Sequence, residues 1–364
     1  MKAYINNYEL LCDAGDTKSL MEAVYANKSA ITITEDFIKD SKAGLGIMQY
    51  DNIYNLLIDV TSKVLKQSNL ENFHNTLLIL ASSVGGMQEC EDIFYAKGSY
   101  TDIDPNRYSM NALSDHLDKE FKFYDSRAIS TACTSSANAL LLAKRLIEVE
   151  AYDNILVVGA DGLCNSTVLG FHSLGVLSNK QCTPFDKNRN GMNVAEAVSV
   201  LLVQNQKTPN SIQIKGVGAS SDAYHMTNPD PSATGAISSM QNAIDDAKLN
   251  IDDIDYINAH GTATIANDNV ESLAVEKLFG SKTLVNSTKA ITGHTLGAAG
   301  SVEAIISCEI IKAGIVPAQT GLQELENTNI NVPTQNITMD IKNIISNSFA
   351  FGGNNTSIVL GVCE

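Results

Sequence analysis

One cysteine and two histidines stand at positions where a chain could present them for chemistry. Cys133 lies in the run Thr-Ala-Cys-Thr-Ser-Ser (131–136), just before an amphipathic stretch that predicts a helix over 136–148. The positive end of this helix should lower the pKa of the thiol and favour the nucleophilic thiolate, and the hydroxyls at 134–136 could cap it. Cys133 is therefore the candidate nucleophile, because the other cysteines lack comparable surroundings.

The two histidines lie where predicted strands or turns give way to helices. His260 follows an apolar run, 254–258, that predicts a buried strand, and His294 lies in Thr-Gly-His-Thr-Leu-Gly-Ala-Ala-Gly (292–300) before a predicted helix over 301–313. Side chains at the ends of strands in α/β folds line ligand crevices. One cysteine with two histidines is the set that thioester chemistry needs. The remaining histidines have weaker contexts: His74, His116, His172 and His225.

A segment with paired glycines, Asn-Ser-Phe-Ala-Phe-Gly-Gly-Asn-Asn (347–355), joins two apolar runs near the C-terminus. Glycines let backbone amides approach a ligand closely, and such amides can form an oxyanion hole. A hairpin turn is the alternative, and it is preferred when the segment is taken alone. The sequence contains no dinucleotide fingerprint, Walker loop or His/Asp cluster with metal-ligand spacing, so no metal site is expected.

The elements that must position these residues alternate along the chain, which predicts an α/β fold. Predicted strands cover 76–81, 154–159, 197–203, 254–258 and 357–362, and predicted helices cover 53–67, 136–148, 237–247 and 301–313. A polar stretch at 204–211 is the candidate boundary between an N-terminal half, 1–205, and a C-terminal half, 206–364. Each half has a small-residue segment that opens a long helix (128–148 and 286–313), which predicts two related halves around a common cavity.

Composition excludes several classes of protein. The 364 residues include 41 acidic and 25 basic side chains, a formal net charge of −16, which argues against nucleic-acid binding. Hydrophobic residues at 44% and charged residues at 18% predict a globular chain. The apolar runs fall short of the roughly 20 residues of a membrane helix. Seven cysteines without a CxxC pair, and a start without an apolar leader, predict a reduced cytoplasmic protein without membrane or zinc.

Five motifs, in this order, resemble the β-ketoacyl synthase family, the condensing enzymes of fatty-acid and polyketide synthesis. They are Thr-Ala-Cys-Thr-Ser-Ser (131–136), Pro-Phe-Asp-Lys-Asn-Arg-Asn-Gly (184–191), His-Gly-Thr-Ala-Thr (260–264), Lys-Ala-Ile-Thr-Gly-His-Thr-Leu-Gly-Ala-Ala-Gly (289–300) and Asn-Ser-Phe-Ala-Phe-Gly-Gly (347–353). The resemblance extends over nearly the whole chain. It implies a thiolase-like fold, with two similar halves forming five layers, αβαβα.

The resemblance also implies the catalytic roles. Cys133 would take an acyl chain from an acyl carrier protein thioester. His260 and His294 would bind the malonyl carbonyl and stabilise the enolate formed by loss of carbon dioxide, and this enolate would attack the Cys133 thioester. Substrates would arrive on the phosphopantetheine of the carrier protein, so no further cofactor is implied.

Other residues match supporting positions of the family. The backbone amides of Cys133 and Phe351 would form the oxyanion hole, with Phe351 and Phe349 at the gate, and Phe171 would line the acyl pocket. Four charged residues would support the histidines: the pair Lys289 and Glu303, and the acidic residues Asp268 and Glu271.

The chain also departs from the family pattern, and we expect local loop changes without loss of chemistry. Ile265 replaces a common proline, Ala-Glu-Ala (195–197) replaces Gly-Glu-Gly, the N-terminal strand lacks its usual glycines, and the usual basic stretch is reduced to Lys39 and Lys42. Carrier proteins are acidic, so docking calls for cations. The candidates are Lys63, Lys66, Lys187 and Arg189, unless another subunit supplies a basic patch.

Two alternatives to the ketosynthase remain open. One is a thiolase-like acyltransferase acting on coenzyme A esters; two histidines with one cysteine favour the synthase. The other is a non-catalytic partner of the chain-length-factor type; the presence of Cys133 argues against it. A homodimer and a heterodimer with a chain-length-factor-like ketosynthase subunit are both compatible with the sequence, as are fatty-acid, polyketide and polyene pathways.

Overall fold

The computed structural model of the chain describes residues 1–68, 70–73 and 75–363. His74, one of the weaker histidine candidates, lies outside the described residues. The strands are β1 (Ala3–Cys12), β2 (Gly15–Asp16), β3 (Thr32–Thr34), β4 (Ala43–Gly46), β5 (Thr76–Ala81), β6 (Asp125–Ile129), β7 (Asn154–Asp161), β8 (Val194–Ala195), β9 (Ala197–Gln204), β10 (Ile212–Ser221), β11 (Tyr256–Asn258), β12 (Leu284–Asn286), β13 (Ile315–Val316), β14 (Ile337–Thr338), β15 (Asn343–Phe349) and β16 (Asn354–Val362). The α-helices are α1 (Thr17–Tyr25), α2 (Ile53–Gln67), α3 (Met87–Lys97), α4 (Met110–Phe121), α5 (Ser135–Glu148), α6 (Asn165–Ser173), α7 (Thr234–Ala247), α8 (Ile265–Phe279), α9 (Lys289–Thr292) and α10 (Ala299–Ala313). Short 3-10 turns cover Pro105–Arg107, Ile251–Asp253 and Leu296–Ala298.

One mixed sheet runs through the described part of the chain in the order β12-β11-β15-β16-β10-β1-β9-β7-β5-β6, with β2 beside β1. Parallel pairing joins β5 to β6 and β7, and also joins β11 to β12 and β15. The two halves of the sheet meet where residues 3–5 of β1 pair antiparallel with 212–214 of β10. This short ladder, which the sequence did not predict, makes the sheet continuous between the halves.

Five layers result from the way the helices cover this sheet. Helices α5 and α10 pack against each other and contact strands of both halves, so they form the central layer. Helices α2 and α4 cover the N-terminal strands, and α7, with α8 against it, covers the C-terminal strands. The central helices can approach closely because Gly300 has no Cβ. A Cβ at this position would lie 2.6 Å from the backbone nitrogen of Ala137. The Ser301 N–H also donates to Ser136 Oγ at 2.9 Å.

The predicted elements exist, and their differences lie at the ends. The helix predicted over 53–67 has those bounds, whereas the one predicted over 237–247 begins at Thr234, after Ala233 in a left-handed conformation (φ 63°). The strand predicted from residue 254 begins at Tyr256, because 251–253 form a 3-10 turn. The predicted boundary stretch connects β9 to β10. Among the described residues, no helix is long and apolar enough to cross a membrane.

Candidate active site

Cys133 lies in a tight turn between β6 and α5. Ala132, the residue before it, has a left-handed backbone (φ 54°), a conformation that costs energy for a residue with a Cβ and marks a constrained site. Thr134 is the N-cap of α5 but its hydroxyl donates to the Thr131 carbonyl at 2.6 Å, and the Ser135 hydroxyl donates to the Ala132 carbonyl at 2.6 Å. The prediction that these hydroxyls cap the helix is therefore wrong: they hold the turn that presents the thiol.

The thiol of Cys133 is protonated at neutral pH in the resting protein. Burial raises its pKa to about 11, because a thiolate loses its hydration there; the charge of Lys289 and the backbone amides of Cys133 and Phe351 lower the pKa, and Asp161 raises it. The predicted lowering of the thiol pKa by the helix start is wrong for this state, because desolvation outweighs it.

Alkylation of the resting protein by iodoacetamide should therefore accelerate about tenfold for each pH unit between about pH 7 and about pH 10, since the reactive thiolate fraction grows in that proportion below the pKa. The measurement is the rate of carbamidomethylation at Cys133, located by peptide mass spectrometry at each pH. The C133A protein reports the background from the other thiols. A rate that is already level at pH 7 would show a thiolate in the resting site.

His260 is held in place by two buried carboxylates on α8. Glu271 accepts hydrogen bonds from the backbone N–H groups of His260 (2.8 Å) and Gly261 (2.7 Å). Asp268 accepts from the N–H groups of Ala263 (3.1 Å) and Phe185 (2.8 Å). Each carboxylate thus satisfies backbone donors of the loop that follows β11, and both act by positioning the histidine.

Lys289 determines which nitrogen of His260 carries the proton. Its Nζ lies 3.3 Å from His260 Nδ1 and pairs with the carboxylate of Glu303, and all three side chains are buried. An ammonium can only donate, so Nδ1 accepts and Nε2 carries the hydrogen. Burial and the nearby charges of Lys289 and His294 hold the pKa of His260 well below its usual range, so the ring is neutral.

His294 is also a neutral ring with its hydrogen on Nε2, but here a backbone N–H fixes the tautomer. The Leu296 N–H donates to His294 Nδ1 at 3.3 Å, which leaves Nε2 as the donor. Burial, with the charge of Lys289, holds the pKa of His294 well below its usual range. The rings of His260 and His294 are perpendicular (88°), with centroids 5.1 Å apart. The pair therefore offers two neutral N–H donors to one region of space.

One cavity of about 650 Å³, which includes its open mouth, brings the predicted groups together. Its lining includes Cys133, Phe171, His260, His294, Phe349 and Phe351. The ring centroids of Phe171 and Phe351 lie 6.0 Å apart with their planes tilted by 53°, and the ring centroids of Phe349 and His260 lie 6.1 Å apart. Four predicted supporting residues do not line the cavity and lie behind the histidine loops: Lys289, Glu303, Asp268 and Glu271.

The glycine segment forms a hairpin turn, the alternative that its sequence favours when the segment is taken alone. Strands β15 and β16 pair antiparallel, and the turn at 350–353 closes the hairpin with an Ala350 N–H to Asn354 carbonyl bond of 2.8 Å. The same turn brings the backbone N–H of Phe351 to the sulfur of Cys133, where it joins the N–H of Cys133 itself. Two amides aimed at one position can stabilise a developing oxyanion.

Asp161 is a supporting residue that sequence reasoning missed. This buried carboxylate at the end of β7 accepts from the backbone N–H groups of Ser83 (2.9 Å), Val84 (2.8 Å) and Gly297 (2.6 Å). It thus ties the loop after β5 to the turn that follows His294. The only signal for Asp161 in the sequence was a single carboxylate at the end of an apolar run. Val176 and Met192 also line the cavity, and no feature of the sequence indicated that they would.

The structure buries one of the four predicted docking cations and exposes the other three. Arg189 is buried, with its side chain 1% exposed; its Nη2 donates to Asn269 at 2.6 Å, its Nε lies 3.4 Å from Asp268, and it also pairs with Glu326. Arg189 is therefore an internal support, and its assignment as a docking cation is wrong. The other three are exposed: Lys63 and Lys66 on α2, and Lys187, which pairs with Glu324 at 2.7 Å.

The remaining cysteines and histidines of the described chain lie outside this cavity. His116 packs edge-on against Tyr54, with ring centroids 4.9 Å apart, while His172 and His225 are exposed. No group of three or more His, Cys, Asp or Glu side chains that could hold a metal ion occurs within residues 1–68, 70–73 and 75–363.

Comparison with known proteins gives the class. Residues 46–208 match the family model of the β-ketoacyl synthase N-terminal domain, and residues 211–323 match that of the C-terminal domain. A 3-oxoacyl-[acyl-carrier-protein] synthase 2 of Rhizobium meliloti is 32% identical over 81% of this chain and 76% of that protein. The chain belongs to the β-ketoacyl synthase family.

Two further relatives refine the comparison. The 3-oxoacyl-[acyl-carrier-protein] synthase 2 of Coxiella burnetii is 38% identical over 64% of this chain, and the matched segment spans 61% of that relative. The ketosynthase of Xenorhabdus doucetiae, solved in complex with its chain length factor, is 30% identical with a TM-score of 0.90 over 100% of this chain and 98% of that one. The predicted α/β, thiolase-like fold is confirmed, while the division at residue 205 stays a prediction.

Proposed function

We propose that this protein is a β-ketoacyl-[acyl carrier protein] synthase that joins an acyl chain on Cys133 to a malonyl unit with loss of carbon dioxide. One observation carries the proposal: a thiol and two neutral imidazoles share one cavity. The thiol of Cys133 lies near two backbone amides, and both imidazoles carry their hydrogen on Nε2. The names of the relatives support the same reaction.

The first half-reaction uses the amides at Cys133. The sulfur attacks the carbonyl carbon of an acyl thioester, and the thiol proton goes to the departing pantetheine sulfur. The N–H groups of Cys133 and Phe351 stabilise the oxyanion that forms between these two events. The product is an acyl group held as a thioester on Cys133, with the carrier protein released.

The second half-reaction uses the histidines. The N–H groups of His260 and His294 hold the malonyl thioester carbonyl, so the negative charge left by departing carbon dioxide collects on an oxygen with two donors. The enolate carbon attacks the acyl carbon, a carbon–carbon bond forms, and the bond to Cys133 sulfur breaks. The sulfur leaves as a thiolate and takes up a proton from water, which restores the resting thiol. The chain leaves two carbons longer, as a β-ketoacyl thioester.

The same proposal covers partners and location. Substrates are carried on the phosphopantetheine of an acyl carrier protein, and no metal or further cofactor takes part. The protein works in the cytoplasm, as a homodimer or with a chain-length-factor-like subunit, in fatty-acid, polyketide or polyene synthesis. The Xenorhabdus relative, solved with its chain length factor, supports the heterodimer. Neither nucleic acid nor membrane is a partner.

Incubation of the purified protein with malonyl carrier protein and a series of acyl carrier proteins tests the reaction. We expect release of carbon dioxide and a carrier-bound product longer by two carbons, both measured by mass spectrometry with labelled malonate. Absence of both with every primer would refute the synthase. An equal or greater kcat/KM with coenzyme A esters would instead favour the thiolase-like acyltransferase.

A further inference from the structure

Each of the two turns that carry reacting groups contains a residue with a left-handed backbone. Ala132 (φ 54°) comes directly before Cys133. Leu296 (φ 53°) donates its N–H to His294 Nδ1. This conformation costs energy for a residue with a Cβ, and it persists only where surrounding contacts hold it in place. Hydrogen bonds connect both turns to one buried side chain, that of Asp161.

The connection to the histidine turn is direct. The Gly297 N–H donates to Asp161 Oδ2 at 2.6 Å, one residue after Leu296. A Cβ at Gly297 would lie 2.8 Å from the same carboxylate oxygen, so the turn packs directly on Asp161. Holding the Gly297 N–H fixes the peptide that follows Leu296. It therefore also holds Leu296, whose own N–H selects the tautomer of His294.

The connection to the nucleophile turn passes through Ser83. The Ser83 N–H donates to both oxygens of Asp161, at 2.9 and 3.0 Å, and the Ser83 hydroxyl donates to the Ala132 carbonyl at 3.0 Å. This carbonyl belongs to the peptide that leads into Cys133, so the bond holds the backbone N–H of Cys133, one of the two amides near the sulfur. Ser83 is exposed, so its hydroxyl is not needed to fill the core.

We propose that Asp161 is a positioning residue for both half-reactions: through Ser83 it holds the turn of the nucleophile, and through Gly297 it holds the turn of His294. The kinetic consequences rest on the proposed function, whereas the two connections can be measured without turnover. Burial raises the pKa of Asp161 to about 6, and its hydrogen-bond donors lower it in part. At about pH 8 the carboxylate is therefore charged and accepts at both oxygens.

The D161N variant separates the two oxygens. Oδ1 accepts from three donors in residues 82–84, whereas Oδ2 shares one of these and also accepts from Gly297. An amide has one acceptor oxygen, and the three donors favour keeping it at the first position, so the NH₂ group faces the Gly297 N–H. At about pH 8 we expect decarboxylation of malonyl carrier protein to fall about tenfold or more, and acylation of Cys133 to fall less than about threefold.

The S83A variant should show the opposite pattern. It removes the hydroxyl bond to Ala132 and leaves the backbone bonds of Ser83 in place. Acylation of Cys133, followed as acyl-protein mass in a single turnover, should slow about three- to tenfold, while decarboxylation stays within about twofold. The matched control S68A removes a serine hydroxyl bond to the Leu65 carbonyl, 2.7 Å long, at the end of α2 and outside the cavity lining. It should change neither rate.

Hydrogen–deuterium exchange, followed by mass spectrometry, measures the two connections without turnover. S83A should speed exchange in residues 131–136 and D161N in residues 293–298, with the hairpin at 343–362 unchanged in both variants. This pattern supports the positioning role even if the wild-type protein releases no carbon dioxide, in which case only the proposed function fails.

Three results would overturn the inference. One is wild-type exchange in residues 131–136 of S83A or in residues 293–298 of D161N. Another is faster exchange throughout the chain, because it would show a general loss of stability. The third is an equal loss of both half-reactions in S83A. If D161N does not fold, S83A decides, since an unchanged nucleophile turn would remove the connection through Ser83.

Discussion

Replacing Cys133 by alanine should abolish acyl transfer and condensation while leaving the release of carbon dioxide from malonyl carrier protein largely intact. The loss of condensation should be roughly 10⁴-fold or more, as for removal of other covalent nucleophiles. Decarboxylation persists because its two donors, His260 and His294, take their tautomers from Lys289 and Leu296, not from the thiol. The measurements are acyl-protein mass after a single turnover and carbon dioxide release under the same conditions.

Two further variants make this result specific. C363A removes a half-buried thiol outside the cavity and should keep both activities. H260A should show the opposite pattern from C133A: it keeps acyl transfer to Cys133 and loses decarboxylation by about 10² to 10³-fold, the usual effect of losing one oxyanion donor. Condensation that survives in C133A would make this chain the auxiliary member of a pair. Decarboxylation lost in C133A would contradict the separate roles of thiol and histidines.

The candidate catalytic set could be proposed from the sequence because its signals are local. Cys133, His260 and His294 each stand at a junction between elements, and apolar periodicity is enough to place such junctions. The helix α2 and the strand β5 have the bounds that periodicity predicts. Family resemblance then supplied Lys289 and Glu303, whose contact spans only a short stretch of chain.

The errors arose where a property depends on distant parts of the fold. The pKa of Cys133 depends on how completely the other layers exclude water, and burial outweighs the local helix start. Arg189 was a docking candidate because an acidic carrier calls for cations, yet the structure buries it between carboxylates from two remote segments, Asp268 and Glu326. The β1–β10 ladder joins residues about two hundred positions apart, and no local pattern encodes that pairing.

The loops around the cavity follow the same division. Sequence alone posed the problem of an acidic chain with an acidic partner, but it could not show which residues surround the mouth. The loop at 222–230 reaches the cavity because the Gly352 N–H donates to the Met226 carbonyl at 2.9 Å and the Asp222 N–H donates to the Gly353 carbonyl at 3.1 Å. These two contacts place exposed Met226 beside the turn that carries Phe351.

Replacing Lys289 by methionine should both destabilise the protein and weaken decarboxylation. Removing one partner of a buried ion pair costs about 3–5 kcal/mol, because the remaining charge has no hydration. The remaining charge is Glu303, whose carboxylate pairs with Lys289. The loss of the ammonium also frees the Nδ1 of His260, so the donor tautomer is no longer imposed and decarboxylation should fall on the order of 10²-fold. The matched control K282M removes an exposed pair with Asp252, 3.2 Å apart, and should cost less than about 1 kcal/mol.

The pH dependence of this destabilisation identifies its cause. Burial already raises the pKa of Glu303 above its usual value, and Lys289 lowers it in part. A carboxyl whose pKa is higher in the folded than in the unfolded state stabilises the fold at low pH, and this contribution is lost as the pH rises. The K289M change removes the lysine charge and so raises the folded-state pKa of Glu303 further. The free energy of unfolding lost in K289M should therefore be larger at about pH 8 than at about pH 5, where Glu303 is protonated. Urea unfolding of both proteins at the two pH values measures it; an equal loss at both would mean that the packing of the lysine stem, not the unpaired carboxylate, carries the effect.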